Sequence, residues 1–255
     1  MKTKQLTKWA GSKRRLLPNY LPFFHTVTHF LDLFAGSGIV SANTEAPTKH
    51  LNDLAGDWVK VLWCVAEDTE NFADRVVYWG EQLTDRDTYF LLMDKLPSLT
   101  GLDYTAVRYL LQRTCFGGIP NTGKSGHFRQ GFGGVPQNLL DTQRIFDFAE
   151  GLQGATFSTR SWEEVPFKGF VFADPPYRTF HDNPVSYNQE VNHEALAEAL
   201  KAHGSFAYCG TDLGDGWLDE HFAGYERVEV VLSHTAKRAG ADKVKEVMVC
   251  ASLQR

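Results

Sequence analysis

A chain of 255 residues, 43% hydrophobic and 22% charged, has the composition of an ordinary globular protein, with enough length for one main core and one smaller lobe. That balance excludes a disordered, collagen-like or disulfide-stapled polypeptide, and the longest apolar run, six residues from Val61 to Ala66, is far short of the roughly 20 that cross a bilayer. A net charge of -5 argues against a general nucleic-acid binder, because neutralising phosphates needs a basic surface.

The charge is unevenly placed. Residues 1–15 carry +6 without an acid, residues 104–140 carry +4 through Arg108, Arg113, Lys124 and Arg129, and the remainder holds -15. Two basic segments on one face would meet a polyanion while an acidic body held a cation; a solvated tail and an acid-free loop are the plain alternative. The start of the chain lacks the apolar stretch of a secretory signal, which predicts a cytoplasmic protein. Cys64, Cys115, Cys209 and Cys250 form no Cys-x-x-Cys pair and have no companion histidines at ligand spacing, so they read as reduced structural thiols without a metal.

In chain order, Ser12 predicts the N-cap of a short helix that ends before Pro22. Residues 28–34 read as a strand that stops at Ala35-Gly36-Ser37-Gly38 and gives way to a helix over 39–45; a second strand over 48–52 closes on Asp53, and a helix follows over 56–66. From there to about residue 140 no strand is expected. Helices over 72–83, 85–96 and 104–115 lead into residues 117–137, which hold seven glycines and predict a mobile loop on a helical lobe. Strands resume at 155–159 and 169–173, the second running into Asp174-Pro175-Pro176-Tyr177. A helix over 194–202, a strand over 205–209 and an antiparallel pair over 226–233 and 247–253 complete the pattern. The fold class is α/β, a mostly parallel sheet with helices on both faces and a helical insertion. Ligands in such sheets lie at the carboxyl ends of the strands, where the glycine turn and the tetrapeptide both fall.

Glycines at 36 and 38 let a cofactor approach the backbone, although a simple tight turn would use them too. A dinucleotide fingerprint would want a third glycine where Ser41 stands, which weakens an NAD reading. Asp53 is placed to accept from the hydroxyls of a ribose. Asp32 suits a cofactor carrying an ammonium and a sulfonium better than one carrying a pyrophosphate, and S-adenosylmethionine fits that description.

Two prolines after a core strand fix φ and remove two donors, leaving a rigid array of acceptors at the strand tip. The amino group of a nucleobase is a weak nucleophile because its lone pair is delocalised into the ring. Acceptors on both N–H bonds would localise that pair: Asp174 offers a carboxylate and Pro175 a carbonyl. Tyr177, with Phe180, supplies a ring to stack on the base, and the target would have to leave the duplex to reach it. A buried turn with a capping aspartate is the bland reading.

The segments Lys8-Trp9-Ala10-Gly11-Ser12-Lys13, Asp32-Leu33-Phe34-Ala35-Gly36-Ser37-Gly38, Asn52-Asp53 and Asp174-Pro175-Pro176-Tyr177, in this order, resemble the Dam family of DNA adenine-N6 methyltransferases of bacterial and T-even phage type, over nearly the whole chain. The resemblance implies a Rossmann-like S-adenosylmethionine-dependent methyltransferase sheet with an inserted helical target-recognition lobe: a catalytic domain of residues 1–58 and 141–255, and an insertion of residues 59–140. It implies S-adenosylmethionine as cofactor, no metal, double-stranded DNA as partner, and a monomer in solution. Carried over residue by residue, it implies cofactor contacts from Trp9, Lys13, Asp32, Phe34, Gly36, Gly38, Asp53 and Asp174, and catalysis by Asp174, Pro175, Pro176 and Tyr177. DNA contacts fall to Lys8, Arg113, Phe116, Asn121, Lys124 and Arg129, with His127 near the backbone. From the residues alone, Trp9 also reads as a core anchor and Lys13 as a solvated helix cation.

The pattern departs where DNA would be read. GATC-specific relatives carry an aromatic-Asn-Gly-Leu-x-Arg run; here Phe116-Gly117-Gly118-Ile119-Pro120-Asn121 puts a glycine for the Asn and Asn121 for the Arg, which removes bidentate reading of guanine. GATC specificity is therefore not carried over. Asn121 could read adenine, or the loop could read little and leave a relaxed enzyme. The same chemistry on cytosine N4, an RNA base or a protein amide is the nearest alternative, and a DNA-gripping protein without turnover the next; the intact tetrapeptide argues for adenine and for catalysis.

Overall fold

The computed structural model describes residues 5–119, 121–123, 127–178, 191–232 and 244–251. Its centre is a seven-stranded sheet built from β1 (His29–Asp32), β2 (Thr48–Asn52), β3 (Thr156–Ser158), β4 (Phe170–Ala173), β5 (Phe206–Thr211), β6 (Glu226–Leu232) and β7 (Val244–Cys250), in the order β3-β2-β1-β4-β5-β7-β6. The five strands from β3 to β5 are parallel, and β7 lies antiparallel between β5 and β6. This is the mixed, mostly parallel α/β sheet expected from the sequence. Strand order reverses at β1, which pairs with β2 on one side and β4 on the other, so a crevice opens beyond their carboxyl ends.

Apolar side chains fill both faces of this sheet because strands buried on both sides have no polar face to present. On one face Phe24 packs against Phe30, Phe170 and Phe172 with ring centroids 5.3 to 5.7 Å apart. Leu31, Val171, Phe206, Tyr208 and Val249 fill the other.

Helices α1 (Leu17–Tyr20), α2 (Ile39–Asn43), α3 (Gly56–Glu67), α4 (Thr69–Gly80), α5 (Arg86–Lys95), α6 (Gly101–Thr114), α7 (Gln143–Gly151), α8 (His193–His203) and α9 (Trp217–His221) surround the sheet. The helices between β2 and β3 share one apolar core with the sheet, and α3 packs against both β3 and α6. Among the described residues no helix is long and apolar enough to cross a membrane, and all four cysteines are free and buried.

Four features differ from the sequence reading. The N-terminal helical segment does not stop before Pro22: Ser12 caps a 3-10 turn (Lys13–Arg15), α1 follows, and a second 3-10 turn (Leu21–Phe24) runs through the proline. Pro18 and Pro22 each occupy a first turn, where the missing N–H has no partner to lose. α7 was not expected, although Ile145, Phe148 and Leu152 are buried at helical spacing. α9 escaped because it is five residues long, opened by Gly216. The glycine-rich segment is pinned rather than loose along its described part: Phe116 N donates to Gly131 O at 2.7 Å, Gly133 N to Thr114 O at 2.8 Å and Tyr89 Oη to Gln130 O at 2.8 Å.

Candidate active site

The turn after β1 is held by backbone and carboxylate together. Gly36 and Gly38 have φ of +49° and +74°, values that β-carbons disfavour. Gly36 N donates to Asp53 Oδ2 at 2.7 Å and Ala55 N to Asp53 Oδ1 at 2.8 Å, so Asp53 ties the end of β2 to the glycine turn. A Cβ on Gly36 would stand 3.2 Å from Trp9 Nε1; the indole lies directly on this glycine, with Trp58 behind it at 5.0 Å. Asn52 braces the strand ends, donating to Leu33 O at 3.1 Å and Arg160 O at 3.0 Å and accepting from Arg160 N at 3.0 Å.

Phe172 pairs in register with Asp32, so Asp174 leaves β4 beside the glycine turn. Asp174, Gly36, Trp9 and Asp53 all line one cavity of about 570 Å³. Lys13, 3% exposed, reaches it from the N-terminal 3-10 turn. Its Nζ lies 2.8 Å from Asp174 Oδ2, 3.0 Å from Gly11 O, 4.0 Å from Glu246 Oε2 and 4.8 Å from the centre of the Tyr177 ring. Tyr177 Oη donates to Glu246 Oε2 at 3.0 Å.

The electrostatics follow from burial. Asp32 is buried; its Oδ2 accepts from Ser41 Oγ at 2.7 Å, and Oδ1 has no protein partner. Burial pushes its carboxyl up to about 7, with Asp174 and Asp53 adding to the shift and Ser41 opposing it. Burial also raises Asp174, against the pull of Lys13, and raises Asp53 against its two backbone donors. For Lys13, burial disfavours the ammonium, but Asp174 foremost, with Cys209 and Glu246 contributing, outweighs it and holds the pKa above its ordinary value. Asp174 Oδ1 is buried without a partner. An acidic cavity with two unmatched carboxylate oxygens and a floor clear of β-carbons suits a compact cation carrying an N–H donor.

The N-terminal segment is fastened to the first residues of the glycine-rich segment. Ala10 N donates to Gly118 O at 3.1 Å, and Gln112 Nε2 donates to Gly118 O at 2.9 Å and to Lys8 O at 3.4 Å. Thr7 Oγ1 donates to Gln112 O at 3.1 Å. The two basic stretches of the sequence are therefore in contact.

The family model for D12 class N6 adenine-specific DNA methyltransferase matches residues 9–208. The chain belongs to that family. Among its relatives, the DNA adenine methylase of Serratia marcescens is 25% identical over 214 residues, 78% of this chain and 79% of that protein. The Retron Ec67 DNA adenine methylase of Escherichia coli is 27% identical over 179 residues, 68% and 63% of the two chains. The DNA adenine methylase of Escherichia coli strain K12 is 24% identical over 215 residues, 78% and 77%. Methylation of adenine N6 in DNA is the activity of this methyltransferase, and S-adenosylmethionine is the donor its family implies.

In this methyltransferase the cavity brings together Trp9, Lys13, Asp32, Phe34, Gly36, Asp53, Asp174, Pro175, Pro176 and Tyr177, with Gly38 packed beneath them against Leu62. The residues expected at DNA differ in exposure. Lys8, Phe116 and Arg129 are exposed, Phe116 by 67%, and Asn121 is half-buried. Lys124 and Phe180 lie outside the described residues. Arg113 is turned inward, 7% exposed, donating to Tyr109 Oη and to Asn138 O and Oδ1, each at 3.0 Å. It secures the far end of the glycine-rich segment and presents no free guanidinium to DNA. Sequence reasoning missed Glu246, Asn52, Arg160, Trp162 and Thr122, of which all but Glu246 line the cavity. Asn52 alone had a signal, standing next to Asp53 in a quoted motif.

Proposed function

We propose that the cavity seats S-adenosylmethionine over Gly36 and Gly38 and a flipped-out adenine against Asp174–Tyr177, and that the methyl group passes between them. The donor supplies the methyl on a sulfonium. Trp9 and the glycine turn shape its bed, Asp32 Oδ1 and the acidic surroundings favour its cationic groups, and Asp53 lies within the same bed for its ribose.

The observation that carries this reading is the asymmetry of Asp174. Oδ2 is held by Lys13 while Oδ1 is buried and unpartnered beside the glycine turn. Oδ1 is the acceptor for one N–H of the target amine. The Pro175 carbonyl is the second acceptor. Together they draw the lone pair toward the methyl carbon and oppose the charge that grows on nitrogen. With Lys13 over one face of Tyr177, the other face stacks the base.

Residues 59–140 serve as the target-reading part. Thr122, next to Asn121, reaches the cavity, so this segment stands at the mouth through which an adenine would enter. Asn121, Phe116, Lys8 and Arg129 contact DNA; Arg113 supports the segment from behind. Without the guanine-reading Arg of GATC-specific relatives, recognition is relaxed and leans on phosphate contacts.

The test uses unmethylated duplex DNA and S-adenosylmethionine labelled in the methyl group. Asp174→Ala should cut label entering adenine by at least ~100-fold while DNA affinity stays within a few-fold. Undiminished transfer by this variant overturns the assignment.

A further inference from the structure

We propose that Glu246 is a positioning residue for methyl transfer, fixing the Tyr177 ring through its hydroxyl and sharing Lys13 with Asp174. The proposal rests on the reading of the tetrapeptide given above. Nothing in the motifs points to Glu246; the sheet topology does. β7 is antiparallel to β5, so its beginning, not its end, lies at the ligand edge, and Glu246 stands opposite Thr211 at the tip of β5. From there its carboxylate reaches across β5 to the segment leaving β4.

A carboxylate buried at the end of an apolar strand is costly unless it is matched. Here one oxygen, Oε2, takes the Tyr177 hydroxyl at 3.0 Å and faces Lys13 Nζ at 4.0 Å. Lys13 in turn holds Asp174 Oδ2 at 2.8 Å and lies 4.8 Å over the Tyr177 ring. The four side chains close a ring of contacts: Glu246 to Tyr177, Tyr177 to Lys13, Lys13 to Asp174, and Lys13 back to Glu246.

What this ring fixes is the angle between two groups the reaction needs together. Pairing of β4 with its neighbours ends at Ala173, and Pro175 and Pro176 bring no N–H with which to anchor the segment that follows. Tyr177 rotates about χ1 and χ2 unless its far end is held. A base stacked on a ring that swings by an ångström carries its amine away from Asp174 Oδ1, and misplacement on that scale costs on the order of 100-fold in rate. Glu246 holds the ring without meeting substrate, so its removal should slow the chemical step and spare binding.

The experiment measures single-turnover methylation of unmethylated plasmid DNA with labelled S-adenosylmethionine, beside the affinities for S-adenosylhomocysteine and for the same DNA. Glu246→Ala should lose roughly 100-fold in the single-turnover rate. Both affinities should stay within about threefold, because neither ligand depends on the hydroxyl tether. Glu246→Gln keeps a carbonyl acceptor for the hydroxyl and should recover to within about threefold of the parent rate. Tyr177→Phe keeps the ring and loses the tether; it should be as slow as Glu246→Ala, and the double variant no slower than either. Parent-like rates in Glu246→Ala or in Tyr177→Phe overturn the proposal, as does a Glu246→Gln enzyme that binds S-adenosylhomocysteine yet is as slow as the alanine variant. If Glu246→Ala fails to fold, the glutamine and phenylalanine variants decide by themselves. Asp174→Ala run in parallel separates the two levels: an inactive Asp174→Ala beside a fully active Glu246→Ala defeats the role of Glu246 alone.

Discussion

Lys13 Nζ lies 2.8 Å from Asp174 Oδ2, so an ammonium from the N-terminal 3-10 turn is the counter-ion of the acid that follows β4. Lys13 is buried and Asp174 mostly so, and in such a pair the loss of one member strands the other as a poorly compensated charge.

Lys13→Met should therefore act through Asp174. Burial already raises the Asp174 pKa and Lys13 lowers it, so removing Lys13 raises it further and a higher pH is needed to ionise the carboxyl. The acidic limb of the single-turnover rate against pH should move upward, with a loss of roughly tenfold or more at neutral pH. An acidic limb in the same place as the parent's would show that Lys13 does not set the charge of Asp174.

Asp32→Asn should stabilise the ligand-free protein and weaken its hold on the donor. The native carboxyl titrates at about 7 because it is buried, whereas in an unfolded chain it titrates near ~4. Between those values the native state binds the proton more tightly, so the stability of the parent falls as pH rises through this window. The variant lacks that loss. Its melting temperature should exceed the parent's at pH 8 by an amount that shrinks as pH falls from about 7 toward about 4, and S-adenosylmethionine should raise it less. Parallel melting curves of the two proteins across pH would refute the burial of a charge at Asp32.

The elements that surround the site differ in how plainly the sequence shows them. β1 with its glycine turn and β4 with Asp174-Pro175-Pro176-Tyr177 are legible because an apolar run stops at residues with a fixed conformational meaning. Glu246 is not: it lies within a strand whose next four residues are buried on both faces, and its partners Tyr177 and Lys13 are remote in sequence. Arg113 misled for a related reason. α6 is buried on all sides from Thr105 to Thr114, so its polar residues, Arg108, Gln112 and Arg113, point into the protein although their type suggests solvent or DNA. Buried polar networks pair residues far apart in the chain, and no local period records them.

Gly118→Ala should weaken cofactor binding from outside the cavity. Gly118 has φ of +67°, and a Cβ there would stand 2.7 Å from the Lys8 carbonyl carbon. Relief of that clash must move the segment that lays Trp9 on Gly36. S-adenosylhomocysteine should bind on the order of tenfold more weakly by calorimetry, since left-handed strain and a displaced segment each cost about 1 kcal/mol or more. Parent-like affinity would mean that the glycine-rich segment and the cofactor bed are independent.

Arg113→Ala and Arg129→Ala should divide stability from DNA binding. Arg113 makes three hydrogen bonds in the interior, and its loss should lower the melting temperature by several degrees, at about 1.5 to 3 kcal/mol for a charge-assisted bond. Arg129 is 67% exposed and pairs loosely with Asp94 at 3.7 Å, an interaction worth under about 1 kcal/mol. Its alanine variant should melt like the parent and reduce the salt slope of DNA binding by about 1. Fluorescence anisotropy across a salt series, with thermal scans, would expose a reversal of the two roles.

The place of β7 also bears on how the molecule is completed. β6 precedes β7 in the chain yet occupies the rim, so the flank of β5 stays open until residues 244–250 have left the ribosome and slid in between. The tether on Tyr177 thus arrives after the glycine turn and the tetrapeptide have been made. A nascent chain could already possess its glycine turn and its tetrapeptide and still be unable to transfer a methyl group at full rate.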